Sequence, residues 1–186
     1  ILVKSPYKIS CVYTQPPKKS KRGYKLNSSP VQKSAEHLNL AVRNPSSLKN
    51  DEEFDYFKNL NPDIVVVVAY GQLIPKSFLD IPKYGFVNIH ASLLPKWRGA
   101  APIERAIMNL DKETGVSIMR ITEKLDFGPV MKKIKIDITS YDTSGKISEQ
   151  LSKIGSENIV EAIDDIFANE AKFIEQQHDF ATYAKK

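Results

Sequence analysis

The chain is expected to fold as an α/β protein with an open, doubly wound and mostly parallel sheet. Three observations predict this. Segments rich in strand formers alternate with segments of helical periodicity along the sequence, the pattern of helices crossing between neighbouring strands. The run Ile64-Val65-Val66-Val67-Val68-Ala69-Tyr70 is apolar without alternation, as a strand covered by helices on both faces requires. It is the expected central strand. With 186 residues and 41% hydrophobic content, the chain is long enough to bury one sizeable core, and a single compact unit is expected.

The elements follow in order. Lys8-Ile9-Ser10-Cys11-Val12-Tyr13 is short, apolar and rich in strand formers, which predicts a strand over residues 8–13. Pro16, Pro17, Gly23 and Pro30 then interrupt regular structure, and a loop of about a dozen or more residues is unusual in a compact domain unless it carries function. Ser29-Pro30 reads as an N-cap followed by proline at the first helical position, opening a helix to about Leu38. A short strand is expected near residues 40–43. Asn50 caps a helix over residues 51–60, acidic in its first turn as the helix dipole prefers, with Phe54, Phe57 and Leu60 on one side. Asn61-Pro62 ends it. A helical turn is expected around residues 75–80, a strand at Phe86-Val87-Asn88-Ile89-His90, a helix over 101–110, strands over 115–121 and 130–138, and a closing helix over about 143–168. Alternation in Lys132-Lys133-Ile134-Lys135-Ile136-Asp137-Ile138 gives its strand one wet face or an edge position.

A single cysteine, Cys11, excludes an intrachain disulfide framework and is read as a buried strand thiol in a reducing compartment. No apolar stretch approaches the ~18 residues that cross a bilayer, and the opening residues lack the plan of a signal peptide. A soluble, cytoplasmic protein with no membrane contact is expected. The net charge of +5 is concentrated in one place: residues 14–31 hold Lys18, Lys19, Lys21, Arg22 and Lys25 and no acid, while elsewhere 22 cations face 22 acids. A basic excess gathered in one loop is the footprint that a polyanion reads.

Residues two apart in a strand point the same way, so Asn88 and His90 present an amide and an imidazole side by side at the strand's carboxyl end, where open α/β sheets bind ligands. The strand over 115–121 is followed by a loop that brings Asp126 to the same rim. With no activated serine or cysteine beside them, these three groups suit direct attack by an external nucleophile through a tetrahedral intermediate. The amide stabilises the oxyanion, the histidine moves protons, and the carboxylate orients and charges the imidazole. One histidine and one acid fall short of the three or four ligands of a zinc site, so no metal is expected.

The surrounding text is more specific. Asn88-Ile89-His90-Ala91-Ser92-Leu93-Leu94-Pro95-Lys96-Trp97-Arg98-Gly99-Ala100-Ala101-Pro102-Ile103 and Leu125-Asp126-Phe127-Gly128 closely resemble the folate-dependent formyltransferases. The likeness extends to Val67-Val68-Ala69-Tyr70-Gly71, Glu113-Thr114-Gly115-Val116-Ser117-Ile118-Met119 and Thr182-Tyr183-Ala184-Lys185-Lys186. The resemblance implies the Rossmann-like formyltransferase fold and a transferase that takes the formyl group from 10-formyltetrahydrofolate, without a metal. Within the family the likeness is greatest to the branch that formylates the α-amino group of methionine on initiator tRNA, for translation initiation. A monomer is expected. The family's catalytic trio falls on Asn88 as oxyanion stabiliser, His90 as proton-transfer group and Asp126 as its electrostatic and hydrogen-bond partner. Folate contacts are implied at Ala69, Tyr70, Gly71 and Leu73, at Ser92, Leu93, Leu94 and Pro95, and at Leu125 and Gly128.

In this branch a loop opening Thr-Gln-Pro and holding an Arg-Gly pair reaches into the tRNA, and Thr14-Gln15-Pro16 with Arg22-Gly23 match it. The resemblance thus implies tRNA contacts at Lys18, Lys19, Lys21, Arg22 and Lys25. The alternatives are another folate-dependent formyltransferase, or a 10-formyltetrahydrofolate hydrolase, with a small-molecule acceptor, or a non-catalytic RNA-binding domain. The basic loop counts against the first two and the trio against the third. Trp97 is open to two roles, stacking on a substrate or ordering the loop after His90. Arg98 is open to a phosphate or a neighbouring acid, and His37 and His178 are expected to be exposed to solvent. The family opens with a strand, a glycine-containing loop and a helix before the strand near Lys8, and closes with a smaller β-barrel domain. Residues 1–186 are therefore expected to be a catalytic domain lacking that first strand and helix, with the barrel absent from the chain. Where the family often has Leu-Asp-x-Gly-Asp, this chain has Leu125-Asp126-Phe127-Gly128-Pro129.

Overall fold

The chain divides into two compact units where length alone suggested one. The computed structural model describes residues 1–19 and 26–185. One unit comprises residues 63–69 and those from 82 onward, with Ile1; the other comprises the described residues within 2–62 and 70–81.

The second unit opens with a 3-10 turn, Leu2–Lys4, followed by β1 (Val12–Tyr13), β2 (Lys18–Lys19), β3 (Leu26–Asn27), α1 (Pro30–His37), β4 (Val42–Arg43) and α2 (Asp51–Leu60). β1 pairs with β4 in parallel and β2 with β3 antiparallel. The strand expected over residues 8–13 is confined to its last two residues, and Cys11 lies just before it, half-buried rather than buried. Both expected caps form. The Ser29 hydroxyl accepts the Gln32 N–H at 3.0 Å and the Asn50 side chain accepts the Glu52 N–H at 2.8 Å, each satisfying a donor that the first helical turn leaves open. Asn61 ends α2 in a left-handed conformation, φ 44°. Phe57 packs edge-on to Tyr13 and, tilted, against Phe78 of α3 (Lys76–Leu79), which makes the core of this unit.

In the first unit β5 (Val65–Val67), β6 (Phe86–His90), β8 (Glu113–Arg120) and β9 (Val130–Asp137) form one sheet in the order β5-β6-β8-β9. β7 (Arg98–Gly99) and α4 (Pro102–Met108) lie between β6 and β8 in sequence; α5 (Ser144–Phe167), a 3-10 turn at His178–Phe180 and β10 (Tyr183–Ala184) close the chain. The α/β class is as expected. β6 runs parallel to β5, while β8 is antiparallel to both β6 and β9. The apolar run 64–70 forms a shorter strand than expected and is not central: β5 pairs with β6 alone among the described residues, its side chains are half-buried and Val68 is exposed. β9 holds the edge that its alternation predicted. Along α5, Ile147, Leu151, Ile159, Ile163 and Ile166 are buried at helical spacing, each contributing about 1.5–3 kcal/mol of apolar burial. Gly155 of α5 sits against Ile89 and Val116, so α5 covers the sheet face opposite Asn88 and His90. No helix among the described residues is long and apolar enough to cross a membrane.

Candidate active site

Asn88 and His90 are 9% and 6% exposed at the end of β6. Both ring nitrogens of His90 face acceptor oxygens. Nε2 donates to the Trp97 carbonyl oxygen at 2.9 Å, and Nδ1 lies 3.7 Å from Asp126 Oδ2, an ion-pair distance rather than a hydrogen bond. The arrangement accommodates a ring that carries a proton on each nitrogen.

Asp126 reaches His90 by a different route from the one strand order suggested. Because β8 is antiparallel to β6, Arg120 stands opposite Val87 and Ser117 opposite His90, so the loop after Arg120 starts at the other end of the sheet. It must turn back past about 10 Å of strand. Asp126 takes a left-handed conformation, φ 47°, and Gly128 lies so near the Arg120 carbonyl that a Cβ there would collide with it. The returning carboxylate is caught by the Gly99 N–H, which donates to Oδ2 at 2.7 Å. Gly99 belongs to β7, which pairs in parallel with β10.

This loop is held by a set of contacts that no local sequence pattern marks. Buried Gln176 donates Nε2 to the carbonyls of Asp126 at 2.9 Å and Gly128 at 2.7 Å, and its Oε1 accepts from Arg98 Nη2 at 2.7 Å. Arg98, 1% exposed, contacts neither acid nor surface: it donates to Gln176 and to His178 Nδ1 and lies over the Phe127 ring. The His178 ring is solvent-exposed as expected, yet it stacks on Phe127 at 3.7 Å. The one signal in the sequence is that Gln176 and His178 stand a few residues before Thr182-Tyr183-Ala184.

The segment after His90 is held from within. Ser117 Oγ donates to the Ser92 carbonyl at 2.7 Å and accepts the Leu94 N–H at 3.0 Å, and the Ser92 hydroxyl donates to the Lys96 carbonyl. Trp97 orders the loop: its indole N–H donates to Asp111 at 2.7 Å and its backbone N–H to Thr182 Oγ1 at 2.8 Å. Burial pushes the Asp111 carboxyl up, but hydrogen bonds from Lys96, Trp97 and Asn109 outweigh it and hold the group below its ordinary range.

Of the implied folate contacts, Ser92 and Leu94 are wholly buried, with Leu94 in a core cluster beside Met119 and Val130. Leu93 and Pro95 are half-buried, Gly128 is buried, and Leu125 and Ala69 are exposed, Ala69 at φ 48°. In the other unit, Gly71 and Leu73 line a cavity of about 330 Å³ with Gln15, Pro16, Ser46 and Lys49, while Gln15 donates to the Tyr70 carbonyl at 2.8 Å. The Tyr70 hydroxyl is buried without a partner among the described residues, and burial pushes it up to about 12. Of the implied tRNA contacts, Lys18 is exposed and pairs through its backbone with Asn27, and the Lys19 backbone pairs with Leu26. The Lys19 side chain and Lys21, Arg22 and Lys25 lie outside the described residues. His37 is exposed as expected. No group of three metal-ligating side chains occurs among the described residues.

Residues 3–163 match the sequence model of the formyl transferase family. The chain belongs to this family. As a family member it is 56% identical over 186 residues to the methionyl-tRNA formyltransferase of Pelagibacter ubique (strain HTCC1062), covering all of this chain and 60% of that protein. It is 47% identical over 186 residues to that of Mesorhizobium japonicum, again over all of this chain and 59% of the relative. The chain thus spans about 60% of the length of these relatives. Among solved structures, phosphoribosylglycinamide formyltransferase from Bacillus halodurans aligns with a TM-score of 0.69 at 24% identity, over 82% of this chain and 77% of that one. A sugar N-formyltransferase from Shewanella sp. gives 0.69 at 21%, over 81% and 58%. The formyltransferase fold expected from the motifs is therefore borne out.

Proposed function

We propose that residues 1–186 form the catalytic domain of a methionyl-tRNA formyltransferase, moving the formyl group of 10-formyltetrahydrofolate to the α-amino group of methionine on initiator tRNA. The observation that carries this is an imidazole with acceptor oxygens at both nitrogens, beside an amide on the same strand, in a chain 56% identical to a methionyl-tRNA formyltransferase.

The amine nitrogen bonds to the formyl carbon, and Asn88 donates its amide N–H to the oxygen as that carbon becomes tetrahedral. When the bond to the folate nitrogen N10 breaks, His90 supplies the proton that N10 takes up. The new amide nitrogen gives one back, so the ring ends as it began. Asp126 Oδ2 lies at ion-pair distance from Nδ1, and the Trp97 carbonyl fixes the ring plane. A folate co-substrate supplies the activated formyl carbon and the leaving nitrogen; the implied contacts at Ala69, Tyr70, Gly71 and Leu73, at Ser92, Leu93, Leu94 and Pro95, and at Leu125 and Gly128 are the candidate residues for holding it. Lys18, Lys19, Lys21, Arg22 and Lys25 are proposed to meet tRNA phosphates, since five cations without an acid suit a polyanion and a small-molecule acceptor has no need of them.

The test offers the complete protein 10-formyltetrahydrofolate with methionyl initiator tRNA, an amino sugar or water as acceptor. Formyl-methionyl-tRNA is the expected product; release of formate or formylation of the sugar alone overturns the reading.

A further inference from the structure

Asp126 lies in a nine-residue connection, residues 121–129, that runs back against the direction of its own strand. Among its side-chain restraints, the Gly99 N–H holds the carboxylate itself. The backbone on either side of Phe127 is held by a single side chain: Gln176 Nε2 donates to the carbonyls of both Asp126 and Gly128. That amide cannot rotate away, because its Oε1 accepts both Nε and Nη2 of buried Arg98, at 3.2 and 2.7 Å. Arg98 in turn lies 4.9 Å over the Phe127 ring, whose other neighbour is the stacked His178. Gln176 is itself anchored, since Ile174, two residues before it, exchanges backbone hydrogen bonds with Val130 at 2.8 and 2.9 Å. A buried guanidinium with neutral partners is costly unless its donors are used, and here the donors fix the amide that fixes the loop.

We propose that Gln176, locked by Arg98, is a positioning residue for formyl transfer: it holds the Asp126 loop so that the carboxylate stays at ion-pair distance from His90. This rests on the assignment of Asp126 to the reaction. The segment 174–178 thereby acts on chemistry that it does not touch.

The experiment compares Gln176→Glu, Asp126→Asn and the double variant in the complete protein, with steady-state kinetics for both substrates and thermal unfolding. Gln176→Glu keeps the acceptor for Arg98 and removes the two donors to the loop. It is expected to lower kcat about 10- to 100-fold, the cost of displacing a reacting geometry by the order of an ångström, with both KM values unchanged. In the Asp126→Asn background the same change is expected to have little further effect on kcat, because there is no carboxylate left to position. Unchanged kcat in Gln176→Glu, or an equal loss in both backgrounds, overturns the inference. Full activity of Asp126→Asn alone overturns instead the assignment on which it rests. Should Gln176→Glu fail to fold, Gln176→Met, which keeps volume and adds no charge, is read in the same way.

Discussion

The backbone N–H of Gly99 donates to Asp126 Oδ2 at 2.7 Å, while the carbonyl of Trp97, two residues earlier, accepts from His90 Nε2 at 2.9 Å. One short stretch of chain therefore touches both members of the His90–Asp126 pair and sets their separation. The same stretch is tied to the chain's end, since Arg98 N–H donates to the Thr182 carbonyl at 2.8 Å and Ala100 N–H to that of Ala184 at 3.0 Å. Geometry at the reaction centre thus depends on residues about 80 positions away in sequence.

Gly128→Ala places a methyl group into the Arg120 carbonyl, so the loop must shift. We expect a loss of about 1–3 kcal/mol in stability, as for overpacked sites, and a fall in kcat larger than any change in KM. Urea denaturation with parallel kinetics checks both; native stability and rate would show that the loop has slack.

Asp111 ties Trp97 and Lys96, and its carboxyl lies below the ordinary value of 3.8 in the folded chain. Its contribution to stability is therefore complete above about pH 4 and disappears as pH falls through the folded value. Asp111→Asn should be less stable than the parent by about 1–2 kcal/mol near neutrality, with the gap closing below pH 4. Thermal unfolding from pH 2 to 7 measures the difference, and a gap that persists or widens at low pH contradicts the assignment.

In the other unit, buried Glu53 accepts hydrogen bonds from Tyr13 at 2.7 Å and Arg43 at 2.6 Å. Burial raises its carboxyl and these partners more than reverse that, leaving it lowered. Glu53→Gln is expected to cost about 1–3 kcal/mol by weakening a charge-assisted network. Chemical denaturation reports the loss, and kcat of the folded fraction should be unchanged.

Neutralising Lys18, Lys19, Lys21 and Arg22 together should weaken tRNA binding and reduce its salt slope by up to ~4, with folate affinity unchanged. Filter binding across salt concentrations separates the outcomes. A fall in folate affinity instead would assign the loop to the other substrate.

What was legible in the sequence was what local chemistry decides. Ser29-Pro30 and Asn50 started their helices at the expected residues, and the alternation of β9 marked an edge. The pair Asn88 and His90 followed from strand alternation alone. Strand direction was not legible: periodicity cannot tell parallel from antiparallel, and because β8 is antiparallel to β6 the Asp126 carboxylate reaches the rim only by a returning loop. Unbroken apolar character was equally ambiguous in the run 64–70, since lack of alternation does not say how many neighbours a strand has. Gln176 and the contacts of His178 carry no sequence signal because their partners lie 48 to 80 residues away and belong to no local pattern.

The most direct test replaces His90 by Ala in the complete protein and measures single-turnover formylation of methionyl initiator tRNA, with unfolding recorded in parallel. A fall of ~100-fold or more in the chemical step with stability retained is predicted for a proton-transfer group. A folded His90→Ala protein that formylates the tRNA at the parent rate would contradict the account.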